Sequence, residues 1–282
     1  MVLKIAAIFA THNRSEITRT FLETLTSLES KDLELSIFAL DDGSSDDTRF
    51  VLQQFVKAEN IFYGHGDLYW AKSMSFLQGL VNSKPYFDGT LLLNDDILLF
   101  EDALLRLAES IKIHPNSIIT GAFVDKSGDL SYSGLRRKGR SFYVLHKIGL
   151  KSGDEDLDSF VGNFTYIPRI VEDAIGLLKG HYGHHYADVE YGIRARKNGI
   201  RIVQLSGAIG MCESNTTLGS FELADGSVIE RLKLLNSRKQ FPIRDHLRFF
   251  KDIGGPLAYL FFLRSYLPKI CRAIMGARKK IS

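Results

Sequence analysis

Residues 35–48 read Leu-Ser-Ile-Phe-Ala-Leu-Asp-Asp-Gly-Ser-Ser-Asp-Asp-Thr, and this stretch decides the fold class. Its first six residues are almost all apolar, which is typical of a strand buried on both faces of a parallel sheet. A polar turn follows, after which Val51, Leu52 and Phe55 recur at helical spacing. A buried strand that leads through a polar turn into a helix indicates an α/β protein.

The same order of strand and helix occurs on both sides of this stretch. The pattern predicts strands at 2–10, 61–63 and 90–93 and helices at 15–29 and 71–82. Asn13, followed three residues later by Glu16, predicts a capping box at the start of the first helix. Strands separated by helices in this way indicate a parallel, doubly wound sheet.

The pattern changes after residue 115. Short apolar runs predict strands near 117–124, 130–134, 141–146 and 160–167, then a helix at about 188–198 and a strand at 200–205. Closely spaced short strands indicate a mixed or antiparallel section. The predicted fold is therefore a mixed α/β sheet flanked by helices.

Polar side chains cluster where three predicted strands of the first half end, at residues 11–13, 41–42 and 94–96. Ligands of doubly wound sheets bind beyond the carboxyl ends of the strands. This edge of the sheet is therefore the predicted site.

Asn94-Asp95-Asp96 follows three leucines, and two interpretations of it are open. Adjacent carboxylates at the end of a buried strand repel each other, and a divalent cation such as Mg²⁺ or Mn²⁺ would relieve that repulsion. Equally, the segment could be a turn in which Asp96 caps the next helix. The chain contains neither the Walker spacing nor Gly-x-Gly-x-x-Gly, which disfavours kinases, P-loop NTPases and dinucleotide-dependent oxidoreductases.

An ordered set of motifs carries a resemblance to a known family. The motifs are Ala10-Thr11-His12-Asn13-Arg14, Leu40–Thr48, Gly66–Met74, Leu93-Asn94-Asp95-Asp96 and Tyr186–Gly199. In this order and spacing they resemble family 2 glycosyltransferases of the GT-A fold. Within that family the chain is most similar to bacterial rhamnosyltransferases and other cell-surface polysaccharide transferases.

The resemblance implies a role for several residues and a divalent metal, Mg²⁺ or Mn²⁺. The implied nucleotide pocket consists of Thr11, Asn13, Asp41 and Asp42, with an aspartate facing the nucleobase. Asp95 would lie near the ribose or donor sugar, and Asp96 would bind the metal. Asp188 would be the general base. Lys72 is a further candidate for contact with the diphosphate, and a solvated helix lysine is the alternative.

The chain also departs from the family pattern. Many relatives have a histidine after the final strand that completes the metal site, and residues 205–213 contain none. Cys212 or Glu213 could replace it, or water and the diphosphate could suffice. The Gln-x-x-Arg-Trp signature of processive synthases is not found, which favours transfer of a single sugar.

Three histidines, His181, His184 and His185, stand just before Asp188. A zinc site is one interpretation, but no nearby cysteine supports it. Contact with the acceptor or ordinary packing are the others. We expect His184, His185 and Glu190 to face the acceptor.

Charge is distributed unevenly behind a formal net charge of +3. Residues 247–282 hold eight of the 36 Lys/Arg and one of the 33 Asp/Glu, so the preceding residues hold 28 basic and 32 acidic side chains. The family resemblance implies a GT-A domain, which we place at 1–245, and the charge pattern predicts a basic amphipathic helical tail at 246–282. Such a tail favours an anionic membrane surface, and a helix packed on the domain is the alternative. The acidic body disfavours nucleic acid as a partner.

The chain shows no predicted membrane span or secretory signal, because no apolar run reaches 18 uncharged residues and the run at 2–10 is short. Two cysteines in 282 residues favour a reducing compartment. We therefore expect a cytoplasmic protein, peripheral on the inner face of the cytoplasmic membrane.

The expected activity is inverting transfer of one hexosyl or deoxyhexosyl group from a nucleotide-diphospho-sugar, a UDP- or dTDP-sugar foremost. The expected acceptor is a hydroxyl of a glycan or lipid-linked acceptor in cell-surface polysaccharide synthesis. A sugar-nucleotide pyrophosphorylase and a non-catalytic sugar-nucleotide-binding subunit are the alternatives.

Overall fold

The computed structural model describes residues 2–139, 145–150, 155–183, 185–214, 226–237 and 240–275. Within these residues the strands are β1 Leu3–Thr11, β2 Leu33–Asp41, β3 Ile61–Tyr63, β4 Gly89–Leu93, β5 Leu98–Leu99, β6 Ile118–Val124, β7 Leu130–Tyr132, β8 Leu135–Arg137, β9 Leu145–Lys147, β10 Glu155–Asp156, β11 Phe164–Pro168 and β12 Ile202–Met211. The helices are α1 Ser15–Ser27, α2 Thr48–Phe55, α3 Tyr69–Asn82, α4 Ala103–Ile113, α5 Arg169–Ile175, α6 Ala187–Lys197, α7 Val228–Leu235, α8 Ile243–Gly254 and α9 Ala258–Met275.

One mixed sheet forms the centre of the molecule, in the strand order β10-β12-β6-β11-β4-β1-β2-β3. The strands of the first half, β1 to β4, run parallel to one another, as the alternation of strands and helices predicts. The sheet becomes mixed at β11, which runs antiparallel to both β4 and β6. The predicted mixed α/β sheet is confirmed; the predicted strand at 141–146 lies mostly outside the described residues.

The predicted capping box at the start of α1 is wrong. Asn13 has a left-handed backbone, with φ of 51°, and its side chain turns toward the β2 turn. Its Oδ1 accepts the N–H of Ser45 at 2.7 Å, while α1 begins without a side-chain cap. Because the amide of Asn13 bonds to a neighbouring loop, it joins two loops instead of starting a helix.

Helices cover both faces of the sheet. Phe9, Phe21 and Leu107 belong to the buried cluster under α1, α2 and α4. The cluster on the other face lies under α3, α6 and α8 and includes Phe249 and Phe250. Helix α8 is therefore packed into the main body.

The C-terminal helices continue from this second face. The predicted boundary between residues 245 and 246 falls inside α8. Helix α9 packs on α7 and α8, where Leu235, Tyr266 and Ala273 form a small buried cluster. Among the described helices, none combines the length and apolar character that crossing a bilayer requires.

Candidate active site

The loops after β1, β2 and β4 meet at one edge of the sheet, as the sequence predicts. Among the described residues other than glycine, three have a positive φ: Asn13 at 51°, Tyr69 at 57° and Tyr186 at 80°. They lie after β1, at the start of α3 and just before α6. Strained backbone of this kind clusters at functional sites, and all three positions border the same edge.

The loops after β1 and β2 are tied together. The backbone N–H of Asn13 donates to Ser44 Oγ at 2.8 Å, and Asn13 Oδ1 accepts from Ser45. Thr11 is buried, and its hydroxyl pairs with that of Thr18 at 2.8 Å. Thr11 and Asn13 thus lie at the predicted edge, and their polar atoms hold the two loops in place.

Asp42 fixes the start of α3. Its carboxylate accepts three backbone hydrogen bonds, from Gly66 at 2.9 Å, Leu68 at 2.9 Å and Tyr69 at 3.0 Å. The neighbouring carboxylate, Asp41, accepts the N–H of Ser44 at 2.9 Å. Both aspartates are buried, and the hydrogen bonds of their carboxylates go to protein backbone. The family resemblance implies instead that an aspartate here contacts the nucleobase.

The aspartate pair after β4, Asp95 and Asp96, shares one cation. Nη1 of Arg14 lies 2.9 Å from Asp95 Oδ1 and 3.3 Å from Asp96 Oδ2. Burial raises the pKa of Asp95, although Arg14 opposes that shift. Arg14 stands in the first sequence motif without an expected role, yet two adjacent carboxylates at the end of a buried strand indicate that a cation lies close by.

The donor set around Asp96 suits a metal that is shared with a substrate. The Asp96 side chain is 34% exposed, and Cys212 Sγ lies 3.9 Å from its Oδ1. Burial, with the carboxylates of Asp96 and Glu213, raises the pKa of the Cys212 thiol to about 12. Across the described ranges, no three His, Cys, Asp or Glu side chains group as a metal site. Mg²⁺ is commonly held by one or two carboxylates together with substrate phosphates, and Asp96 fits that arrangement.

Asp188 stands on the first turn of α6 and is half-buried. Its Oδ2 accepts the N–H of Gly162 at 3.0 Å, and its Oδ1 accepts that of Val189 at 2.8 Å. Burial raises the pKa of Asp188, and these two hydrogen bonds oppose the shift. A carboxylate with a raised pKa at a site edge is a candidate general base.

Trp70 connects Asp188 to the end of β4. The indole N–H donates to Asn94 Oδ1 at 2.8 Å, and Asn94 Nδ2 donates to Asn163 Oδ1 at 3.0 Å. Gly162 lies between the indole and Asp188, since a Cβ there would be 2.5 Å from the Trp70 ring and 3.6 Å from Asp188 Cβ. The bare backbone of Gly162 therefore allows Asp188 and the end of β4 to approach each other.

The predicted acceptor residues occupy different surroundings. His185 is half-buried and close enough to Asp188 to oppose the rise of its pKa, while His184 lies outside the described residues. Glu190 is buried, and its carboxylate pairs with Lys179 and Arg194, each at 3.1 Å. The carboxylate of Glu190 is therefore engaged by cations inside the protein, unlike that of an acceptor-facing residue. Lys72 is exposed on the first turn of α3.

Solved structures with the same fold include a mannosyltransferase and the S. aureus protein TarS. One is the mannosyltransferase PcManGT from Pyrobaculum calidifontis, solved in complex with GDP-Man and Mn²⁺. Its TM-score is 0.55 and its sequence identity 15%, and the match covers 100% of this chain and 77% of the PcManGT chain. S. aureus TarS, residues 1–349, has a TM-score of 0.52 and 13% identity over 96% of this chain and 89% of its own. These similarities confirm the predicted GT-A fold.

The amino-acid sequence itself was also compared with known proteins and families. A search of curated proteins finds no match. The family described as glycosyl transferase family 2 matches residues 6–176, which is more than half of the chain and includes the loops after β1, β2 and β4. The chain therefore belongs to glycosyl transferase family 2.

Proposed function

We propose that this glycosyltransferase moves one sugar, with inversion, from a nucleotide-diphospho-sugar to an acceptor hydroxyl. One observation carries the proposal. Asp188 faces the same edge of the sheet as the aspartate pair and is connected to it through Trp70 and Asn94. Asp188 and the aspartate pair are thereby linked at one edge of the sheet, where a base and a donor-binding group would have to act together.

Asp188 serves as the general base of this reaction. A sugar hydroxyl is a weak nucleophile, so a carboxylate that removes its proton as the new bond forms accelerates transfer. The raised pKa of Asp188 strengthens it as a proton acceptor. A single displacement of this kind inverts the configuration at the anomeric carbon and needs no covalent intermediate.

The donor end consists of Arg14, Asp95 and Asp96. Asp96 would hold Mg²⁺ or Mn²⁺, and such an ion neutralises the charge that develops on the leaving diphosphate. Arg14 lies within 3.3 Å of both carboxylates and adds positive charge beside them. Thr11, Asn13, Asp41 and Asp42 shape the nucleotide pocket through the loops they hold, and exposed Lys72 remains a candidate diphosphate contact.

We further propose that the protein works at the inner face of an anionic membrane, on a glycan or lipid-linked acceptor of surface polysaccharide synthesis. Leu260, Leu263, Leu267 and Ile274 line one side of α9, each about half exposed, from 48% to 58%. The helix contains Arg264, Lys269 and Arg272 and no acidic residue. An amphipathic helix of this composition binds anionic lipid surfaces in the plane of the interface.

A vesicle assay tests this membrane proposal. The double variant Leu263→Asp with Leu267→Asp should no longer sediment with phosphatidylglycerol vesicles, while Ile113→Asp, at a 68% exposed residue of α4, should sediment like the wild type. Equal sedimentation of all three proteins would refute the α9 surface.

The catalytic proposal is tested with a thermal-shift panel of UDP-, dTDP- and GDP-sugars, with and without Mn²⁺. Selective stabilisation identifies the donor, since a ligand at 100 times its Kd stabilises by about 2.7 kcal/mol. GDP-sugars belong in the panel because PcManGT was solved with GDP-Man. Asp188→Asn should then bind the donor and lose transfer about 100- to 10,000-fold. Retained transfer by this variant, or retention of anomeric configuration in the product, would refute the mechanism.

A non-catalytic sugar-nucleotide-binding subunit is the second candidate. It is favoured by one observation: the thiol of Cys212 lies beside Asp96, in the stretch 205–213 where the family resemblance implies a metal-site histidine. This candidate predicts donor binding without transfer or hydrolysis for every acceptor tried. Turnover of any donor in the panel would exclude it.

A further inference from the structure

Helix α8 binds the segment that leads into Asp188. We name this segment the approach loop and define it as residues 179–183 and 185–186. Asp252 of α8 accepts hydrogen bonds from three of its side chains: Lys179 at 3.1 Å, His181 at 3.1 Å and Tyr182 at 2.5 Å. One carboxylate of the C-terminal region thus holds one half of the approach loop.

Two further residues of α8 hold the other half of the approach loop. Asp245 accepts the N–H of Gly183 at 2.9 Å, and His246 Nδ1 lies 2.7 Å from the hydroxyl of Tyr186. The ring of Tyr186 also stacks on Phe249 with centroids 4.8 Å apart. Asp245, His246 and Asp252 therefore all contact this one loop.

Tyr186 is the residue through which these contacts reach Asp188. Its φ of 80° is unfavourable for a residue with a side chain, so neighbouring groups must hold it. Its carbonyl accepts the N–H of Glu190 at 2.7 Å and so starts α6. The conformation of Tyr186 sets the direction in which α6 begins, and Asp188 is two residues further on.

We propose that Asp245, His246 and Asp252 of α8 are positioning residues that hold Asp188 in place through the approach loop. The apolar side of α8 is already anchored by Phe249, Phe250 and Ile253, which are buried in the main core. The polar contacts are thus additional to those that attach the helix, and they converge on the segment before the base. This inference rests on the proposed role of Asp188.

Two variants of the full chain test the proposal, each with a matched control. Tyr186→Phe removes a hydroxyl and keeps the stacked ring. Its control, Tyr166→Phe, removes the hydroxyl of a buried tyrosine that donates to Asp88 O at 3.3 Å and packs in the cluster on the other face of the sheet. Asp252→Asn removes the negative charge of the carboxylate that accepts hydrogen bonds from the approach loop. Its control, Asp158→Asn, removes the charge of a carboxylate that pairs with Arg137 instead.

Turnover and donor binding should respond differently to the two test variants. Turnover, followed as nucleoside diphosphate released from the donor that the panel selects, should fall about tenfold or more in each, because misplacing a catalytic group by 1 Å can cost about a hundredfold. The Kd for nucleoside diphosphate with Mn²⁺, followed by fluorescence of Trp70, the single tryptophan, should change less than about twofold. Both control variants should match the wild type.

Hydrogen exchange provides a readout that does not depend on activity. Peptides that carry the amides of Gly183 and Val189 should exchange faster in Tyr186→Phe and Asp252→Asn and at the wild-type rate in both controls. Wild-type turnover with wild-type exchange in the two test variants would overturn the proposal, and so would an equal fall of turnover in the controls. If Asp188→Asn keeps full transfer, the base assignment fails instead, while hydrogen exchange still decides whether α8 holds the loop.

Discussion

Removing the Asp42 carboxylate should destabilise the protein far more than removing that of Asp41. Asp42→Ala leaves three backbone N–H groups without an acceptor, those of Gly66, Leu68 and Tyr69. Asp42 is only 5% exposed, so water replaces the lost oxygens poorly. Each unsatisfied buried donor costs about 1–3 kcal/mol, and at the low end of that range the free energy of unfolding falls by about 3 kcal/mol.

Asp41→Ala is the matched control because Asp41 is equally buried and accepts a single backbone hydrogen bond, from Ser44. The same reasoning gives a loss of about 1 kcal/mol for that variant. In a domain of this size 1 kcal/mol corresponds to about 2–4 °C in Tm, so Asp42→Ala should melt about 6–12 °C below the wild type and Asp41→Ala about 2–4 °C below.

Urea unfolding followed by far-ultraviolet circular dichroism and by Trp70 fluorescence measures these differences. Gly64→Ala provides a second perturbation, because a Cβ there would lie 2.4 Å from Asp42 Oδ1 and would displace the same carboxylate. If Asp42→Ala and Asp41→Ala unfold together and only Asp42→Ala loses nucleotide binding, then Asp42 contacts the nucleotide directly and the reasoning is refuted.

Three further predictions concern charge. Burial raises the pKa of Asp188, so turnover should begin to fall at a pH above the pKa of an exposed aspartate, as Asp188 becomes protonated. A pH–rate profile that stays flat down to about pH 4 would contradict this. Burial lowers the pKa of His246 to about 4, so the unfolded chain binds the extra proton between about pH 6.5 and 4. The contribution of His246 to the free energy of unfolding should be complete above pH 6.5 and should fall by up to about 3 kcal/mol as the pH drops toward 4. Urea unfolding midpoints at both ends of this interval measure the loss. The His246→Gln variant should not show it. Arg14→Gln should lower the free energy of unfolding by about 1.5 kcal/mol in metal-free buffer, the low end for a hydrogen bond to a charged group, because Arg14 is 44% exposed. Excess Mn²⁺ should replace the lost counter-charge of Asp95 and raise Tm more in this variant than in the wild type. An equal response to Mn²⁺ would contradict the last prediction.

The sheet and the edge at which its polar loops meet could be predicted because both depend on local patterns. A buried parallel strand needs a continuous apolar run, and polar residues such as Asp41 and Asn94 mark where that run ends. The direction of the side chains at those ends depends on contacts with loops that are distant in the sequence, and the local pattern does not reveal those contacts. Asn13 illustrates the difference, because its spacing to Glu16 fits a helix cap while its amide bonds to Ser45, 32 residues away.

The C-terminal region shows why charge alone could not divide the chain by role. Its cations and apolar residues alternate, and the sequence therefore suggests one amphipathic tail. The structure separates two surfaces: α8 buries Phe249 and Phe250 and directs Asp252 toward the approach loop, whereas α9 exposes Leu263 and Leu267. His246 of α8 contacts both α9 and the approach loop: its Nε2 lies 3.1 Å from Ser265 of α9, and its Nδ1 contacts Tyr186 of the loop. A helix that exposes its apolar residues and a helix that packs against the approach loop have similar compositions, and only the packing of the chain distinguishes them.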